Sequence, residues 1–374
     1  MQEFVLQAEH LEFLIQVIRG EGYQVMGPVV RSGAIVYDAI SSANDLPRGW
    51  SDEQEKGYYR VNQTDSGAYF GYAVGADSWK PLLQLPRRKV WEAHRQNNTL
   101  DIIEILDEPP ARAFLGVRSC DLHAIAIQDR VFADDQFRNE SYAHRRDKVL
   151  IVAVNCTTPA ATCFCTTMNT GPEVTTATDL AMTEIINEKE HYFLIRSESY
   201  IGKKILKQLP LTPPAERHLD AEERALQSAV QKMQKGPRNF DSSDVKDLLY
   251  RNYESPVWDQ VAERCLSCAN CTMACPTCFC STVEDTTDLT GDHAERWERW
   301  DSCFTGDFSY ITGGAVRADT RSRYRQWITH KLATWHDQFD SSGCVGCGRC
   351  ITWCPVGIDI TEEVQRLQEL ERTL

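Results

Sequence analysis

No run of roughly 18 apolar residues occurs anywhere in this 374-residue chain, so no transmembrane helix is expected. The opening residues, MQEFVLQAEHLEFL, lack a basic stretch leading into an apolar one, so no secretory leader is expected. A cytoplasmic protein is the expectation. Positive charge is in short supply: 40 Lys and Arg against 54 Asp and Glu give −14, unlike a nucleic-acid-binding chain. Short basic runs at Pro86–Lys89 and Arg145–Arg146 read as solvated faces, with a docking patch for an acidic partner as the alternative. Nucleotide fingerprints are missing as well. No G-x-G-x-x-G opens a helix after a strand, no G-x-x-x-x-G-K-[ST] occurs, and Gly346 and Gly348 lie inside a cysteine run. The nine histidines form no H-E-x-x-H. No flavin, nicotinamide or nucleotide site is therefore expected in this chain. Residues 1–119 contain no cysteine at all.

What is present is ordinary apart from one residue type. Hydrophobic residues make up 42% and charged residues 25%, enough for a real core. The length suggests two or three domains. Cysteine is the outlier, with 15 residues in two groups, 120–165 and 265–354. A cytosolic chain keeps thiols reduced, so such clustering means metal or redox chemistry rather than disulfides.

Leu11, Leu14, Ile15 and Ile18 recur at helical spacing before Gly20 and Gly22. Apolar alternations at Val25–Val30, Ala34–Ile40 and Tyr69–Val74 predict a mixed or antiparallel sheet. Residues 112–118 read as a strand, 121–132 as a helix and 149–154 as a buried strand, which predicts a right-handed βαβ unit. Cys120 and Cys156 follow those strands and would share the carboxyl edge of one sheet, where α/β proteins place their sites. Another strand and helix follow at 192–209. Leu211–Ala215 reads as a linker, and helices are predicted at 215–235, 241–250 and 255–264, with helix and loop beyond. The expected organisation is an α/β domain over 1–212 and an α-helical ferredoxin domain over 213–374.

Cys265, Cys268, Cys271 and Cys275-Pro276 form C-x2-C-x2-C-x3-C-P, and Cys344, Cys347, Cys350 and Cys354-Pro355 repeat it. This is the bacterial ferredoxin pattern, in which the fourth Cys of each run ligates the other cluster. Cys265, Cys268, Cys271 and Cys354 are therefore expected on one [4Fe–4S] cluster, and Cys344, Cys347, Cys350 and Cys275 on a second. Tetrahedral zinc is the rival, but zinc sites pair C-x2-C units without the fourth Cys and Pro. The long spacer between the runs reads as helical and resembles the α-helical ferredoxin domain of fumarate reductase iron–sulfur subunits and heterodisulfide reductase subunits.

Cys120, Cys156, Cys163 and Cys165 supply the four thiols of a third [4Fe–4S] cluster, with buried structural cysteine as the alternative. Asp121 and His123 are substitute ligands should one Cys not take part. Thr277-Cys278-Phe279-Cys280 echoes Thr162-Cys163-Phe164-Cys165. Cys278 and Cys280 read as packing or as groups around a cluster, and Cys303 as structural. Arg118 and Arg349 adjoin candidate ligands, and read either as cations that raise potentials or as surface salt-bridge residues.

The segments Gly116-Val-Arg-Ser-Cys-Asp-Leu-His-Ala-Ile125, Asn155-Cys156 with Thr162–Cys165, Cys275–Cys280 and Trp300-Asp-Ser-Cys-Phe304 resemble the β subunit of cytoplasmic sulfhydrogenases, the NAD(P)-linked [NiFe] hydrogenases. The A subunit of anaerobic sulfite reductase is similar. The resemblance implies an iron–sulfur subunit that carries electrons between a flavoprotein NAD(P)H-binding subunit and the hydrogenase, or sulfite reductase, catalytic subunits. One departure is Pro159-Ala160-Ala161, where the family tends to carry glycines; alanine restricts that loop. Two rival readings remain: a zinc-stabilised scaffold, and a sulfur-reducing centre at Cys163 or Cys165.

Overall fold

The computed structural model describes residues 2–73, 75–96, 99–134 and 136–373. β1 (Glu3–Gln7) leads into α1 (Leu11–Gly20), whose Leu11, Leu14, Ile15 and Ile18 form one fully buried stripe. β2 (Gln24–Arg31) and β3 (Ala34–Ala39) make a hairpin, and β4 (Trp50–Glu55) and β5 (Tyr58–Gln63) a second. α2 (Lys80–Leu83) precedes β6 (Arg87–Gln96) and β7 (Thr99–Glu104). Then follow β8 (Arg112–Val117), α3 (Ser119–Phe132), α4 (Glu140–Asp147) and β9 (Val149–Val154). β10 (Leu180–Ile186), β11 (His191–Arg196), α5 (Tyr200–Leu206) and α6 (Glu216–Gln234) complete this half.

Seven strands form one sheet in the order β1-β11-β10-β9-β8-β2-β3. The inner pairs β2–β8, β8–β9 and β9–β10 are parallel, and the flanking pairs are antiparallel. β8 and β9 are apolar nearly throughout because both faces are covered. Leu115 and Val152 pack against α1 and α5 on one face, while Phe114 and Ile151 pack with Leu122 and Ile125 of α3 on the other.

The second half is smaller and more irregular. α7 (Val245–Arg251), α8 (Val257–Arg264) and α9 (Asn270–Met273) come first, then β12 (Ser281–Thr287) and β13 (His293–Trp300). A two-residue ladder of β14 (Tyr310–Ile311) and β15 (Gly314–Ala315) precedes α10 (Thr320–Thr329). A π-helical turn (His330–Thr334) joins α10 to α11 (Trp335–Phe339), and α12 (Arg349–Thr352) and α13 (Ile360–Thr373) end the chain. Trp258, Ile328, Leu332, Ile351 and Val364 anchor the core of this half.

Two expectations are corrected. The spacer between the cysteine runs is not wholly helical: β12 and β13 join β6 and β7 in a four-stranded sheet, order β12-β13-β6-β7. These strands escaped the sequence reading because opposite charges, not apolar alternation, hold them together. Arg88 pairs with Glu298, Lys89 with Glu295, Arg296 with Asp285 and Arg299 with Glu284. The sheet draws strands from both sides of residue 212. Residues 69–73 form no strand, and Val74 lies outside the described residues. Side chains satisfy that buried loop: Tyr69 and Phe70 N–H donate to the Glu184 carboxylate at 2.7 and 2.8 Å. Arg118 donates to the carbonyls of Phe70 and Tyr72.

Candidate functional site

The first cysteine run begins where α8 ends. Ser267 (φ 50°) and Ala269 (φ 65°) adopt left-handed backbone on either side of Cys268, which curls the chain around a centre. Cys271 sits on α9. Cys265, Cys268, Cys271 and Cys354 line one small cavity, walled by Phe304, Tyr324, Trp327 and Ile358. Backbone donors point at sulfur: Ser267 N–H at Cys265 Sγ, 3.4 Å, and Ile358 N–H at Cys354 Sγ, 3.3 Å. Cys268 is exposed. Cys350, from the second run, also lines this cavity.

The second run repeats the curl with Gly346 (φ 62°) and Gly348 (φ 77°). Glycine is required here for space as well as for φ. A Cβ on Gly346 would lie 2.6 Å from Phe164 O, and one on Gly348 2.5 Å from Thr162 O. The Thr162–Cys165 loop therefore grips this run directly: Phe164 N–H donates to Gly346 O at 2.8 Å, and the Thr162 and Thr352 hydroxyls are 2.9 Å apart. Cys275, Cys344, Cys347 and Cys350 lie within electrostatic reach of one another, and burial pushes Cys344 up to about 12 and Cys350 well up. Cys275 is held well below the usual thiol range by a hydrogen bond from Cys278 and by the Lys331 ammonium.

Cys120, Cys156, Cys163 and Cys165 surround a second, small cavity. Cys120 opens α3 just after β8, and Cys156 follows β9, so the adjacent parallel strands deliver both to one edge. Residues 160–165 fold back over that edge. Arg118 lines the cavity too, fully buried, and donates to the Asn155 carbonyl at 2.9 Å as well as to the loop 69–73. Burial raises all four thiols. Cys347 lines this cavity as well.

Neither Asp121 nor His123 lines it. Both Asp121 oxygens accept from Arg349, at 2.8 and 3.0 Å, with each side chain 1% exposed. Arg349 also donates to Gly75 O and Asp77 O. Arg118 and Arg349 are thus interior residues rather than surface salt-bridge residues. His123 is half-buried, its Nε2 makes no hydrogen bond, and burial lowers its pKa. Cys278, Cys280 and Cys303 gather beside Lys331; burial raises Cys280 and pushes Cys303 up to about 12. Lys80 donates to Cys278 O at 3.2 Å.

Sulfur spacing tests what these thiols fit. A single tetrahedral zinc at about 2.3 Å from each sulfur needs them roughly 3.8 Å apart. Among the described residues, the side chains whose ligand atoms come within 4.8 Å of one another are Glu92, His94 and His293, on the four-stranded sheet; no set of three cysteines does. Lys89 already neutralises Glu92 there. Burial around most of these cysteines penalises bare thiolates. Sequence reading missed Lys331, Lys80 and the pairing of Asp121 with Arg349, because no spacing rule links residues that meet only through the fold.

A model of the 4Fe–4S dicluster domain family matches residues 264–358. Sulfhydrogenase 2 subunit β of Pyrococcus furiosus is 31% identical over 262 residues, which are 68% of this chain and 73% of that protein. The comparison with solved structures finds no match. Among the described residues, no helix is long and apolar enough to cross a membrane. With its [4Fe–4S] domain carried behind a seven-stranded α/β half, the chain belongs to the family of sulfhydrogenase β subunits.

Proposed function

We propose that this chain is the electron-transfer subunit of a [NiFe] hydrogenase complex, linking a flavoprotein NAD(P)H-binding subunit to the hydrogenase catalytic subunits. The observation that carries it is the contact between thiol sets. Cys350 of the second run lines the first run's cavity, and Cys347 lines the N-terminal one, which supports a reading in which the second run links the other two thiol sets. In this reading Cys265, Cys268, Cys271 and Cys354 hold the outer centre. Cys275, Cys344, Cys347 and Cys350 hold the middle one, and Cys120, Cys156, Cys163 and Cys165 the third. [4Fe–4S] clusters held there supply one-electron transfer at potentials set by burial and hydrogen bonding to sulfur. The chain's own residues do the rest. Apolar walls exclude water, the Ser267 and Ile358 amides stabilise thiolate charge, and the Thr162–Cys165 loop keeps the middle and third sets in contact. A hydride carrier gives up two electrons together, which is why the reading includes a flavin-bearing partner.

Iron and acid-labile sulfide per chain, measured on anaerobically purified protein, test the assignment. About twelve irons are expected for three cubanes. About eight would remove the N-terminal cysteines from the relay, and zinc without labile sulfide would sink the reading.

A further inference from the structure

Lys331 is 4% exposed, yet among the described residues it pairs with no carboxylate. A buried ammonium survives only where a counter-charge and acceptors surround it. Its acceptors are Cys275 Sγ at 3.1 Å and Thr277 Oγ1 at 3.0 Å. The Thr277 hydroxyl donates its own hydrogen to Gly343 O at 2.7 Å, so its oxygen is free to accept from Lys331. The backbone is fixed as firmly: Gly343 N–H donates to Lys331 O at 2.7 Å, tying the lysine to the loop that enters the second run. Lys331 lies in the π-helical turn between α10 and α11, and such turns re-aim side chains, often at functional sites.

The two ferredoxin-type sets differ sharply here. Among the described residues, no Lys, Arg or His lines the outer cavity. Arg349 approaches the middle set, but both its forks are spent on Asp121. Lys331 donates to a middle-set sulfur and pairs with no carboxylate among the described residues, whereas the neighbouring buried Lys80 donates to the Cys278 carbonyl.

We propose that Lys331 sets the reduction potential of the middle centre, its ammonium on Cys275 Sγ making that centre easier to reduce than the outer one. This rests on the reading that Cys275 completes the middle set. Four thiolates around a cubane core carry net negative charge, and reduction adds one electron and no proton. A fixed positive charge in a low-dielectric interior favours the more negative state. The residue acts through a ligand, not on a substrate, so it is a positioning and tuning residue. Middle-set electrons would then rest deeper than outer-set electrons.

EPR-monitored redox titration of the full chain, with dithionite as reductant, tests this. Cys268→Ser identifies the outer wave. Lys331→Met is expected to lower the reduction equilibrium constant of the middle wave at least tenfold, about 59 mV for one electron, leaving the outer wave in place. Lys331→Arg is expected to retain most of the wild-type value. A fully loaded Lys331→Met protein with an unshifted wave overturns the proposal. Should Lys331→Met lose iron, Lys331→Gln and Lys331→Arg carry the comparison: a Gln wave below the Arg wave supports it, and coincident waves overturn it. Loss of iron in all three assigns Lys331 to structure and overturns it too. The underlying reading fails separately, if Cys275→Ser leaves iron content and the middle wave unchanged.

Discussion

The two cysteine runs share one spacing and one curl of the backbone, but their surroundings differ. The first reaches the surface at Cys268, uses Ser267 and Ala269 in left-handed positions, and leans on aromatic walls. The second is enclosed, uses glycines because the Thr162–Cys165 loop leaves no room for a Cβ, and sits beside Lys331 and the Asp121–Arg349 pair. Spacing alone therefore specifies what kind of group is held. Enclosure specifies how the group behaves and what it touches.

Matched substitutions break this comparison most visibly. Cys347→Ser removes a thiol that the proposed reading gives to the middle set and that also lines the N-terminal cavity, and is expected to cost about eight irons per chain, whereas Cys268→Ser at the exposed end costs about four. Iron analysis of the two purified variants decides it; equal losses would mean that the runs are independent. Arg349→Leu comes next. It strands the Asp121 carboxylate in the interior, at about 3–5 kcal/mol, while the double change with Asp121→Asn restores most of that. Anaerobic melting curves of the single and double variants measure it. The smallest effect sharpens the contrast from the other side. Ala269→Gly relieves a left-handed alanine and is expected to stabilise the first run by about 1 kcal/mol. Slower loss of iron to a chelator would show it, and faster loss would mean that the alanine side chain packs usefully.

The sequence made some of this legible and hid the rest for physical reasons. The stripe Leu11–Ile18 and the apolar strands at 112–117 and 149–154 declare themselves because one periodic face, or both faces, must be buried. The gathering of Cys120 with Cys156 followed from strands running parallel. β12 and β13 left no such mark, since alternating acids and bases look like solvated surface until the partner strand is known. Residues 69–73 misled in the opposite direction: they are apolar because they are buried, but Glu184 and Arg118 take the place of neighbouring strands. Lys331 was invisible because its sulfur partner is 56 residues away with no repeat between them.

The four-stranded sheet carries a consequence for how the chain is made. Lys89 on β6 meets Glu295 on β13 across 206 residues. At a synthesis rate of about 5–20 residues per second, β6 and β7 emerge roughly 10–40 s before their partner exists. Throughout that interval the β6 edge has unpaired amides and carbonyls, next to a β7 strand that already shows Leu100, Ile102 and Ile103 to solvent. The nascent chain is thus most vulnerable to sticking to another copy of itself before its last third is translated. A product truncated ahead of residue 281 would hold that edge open for its whole lifetime.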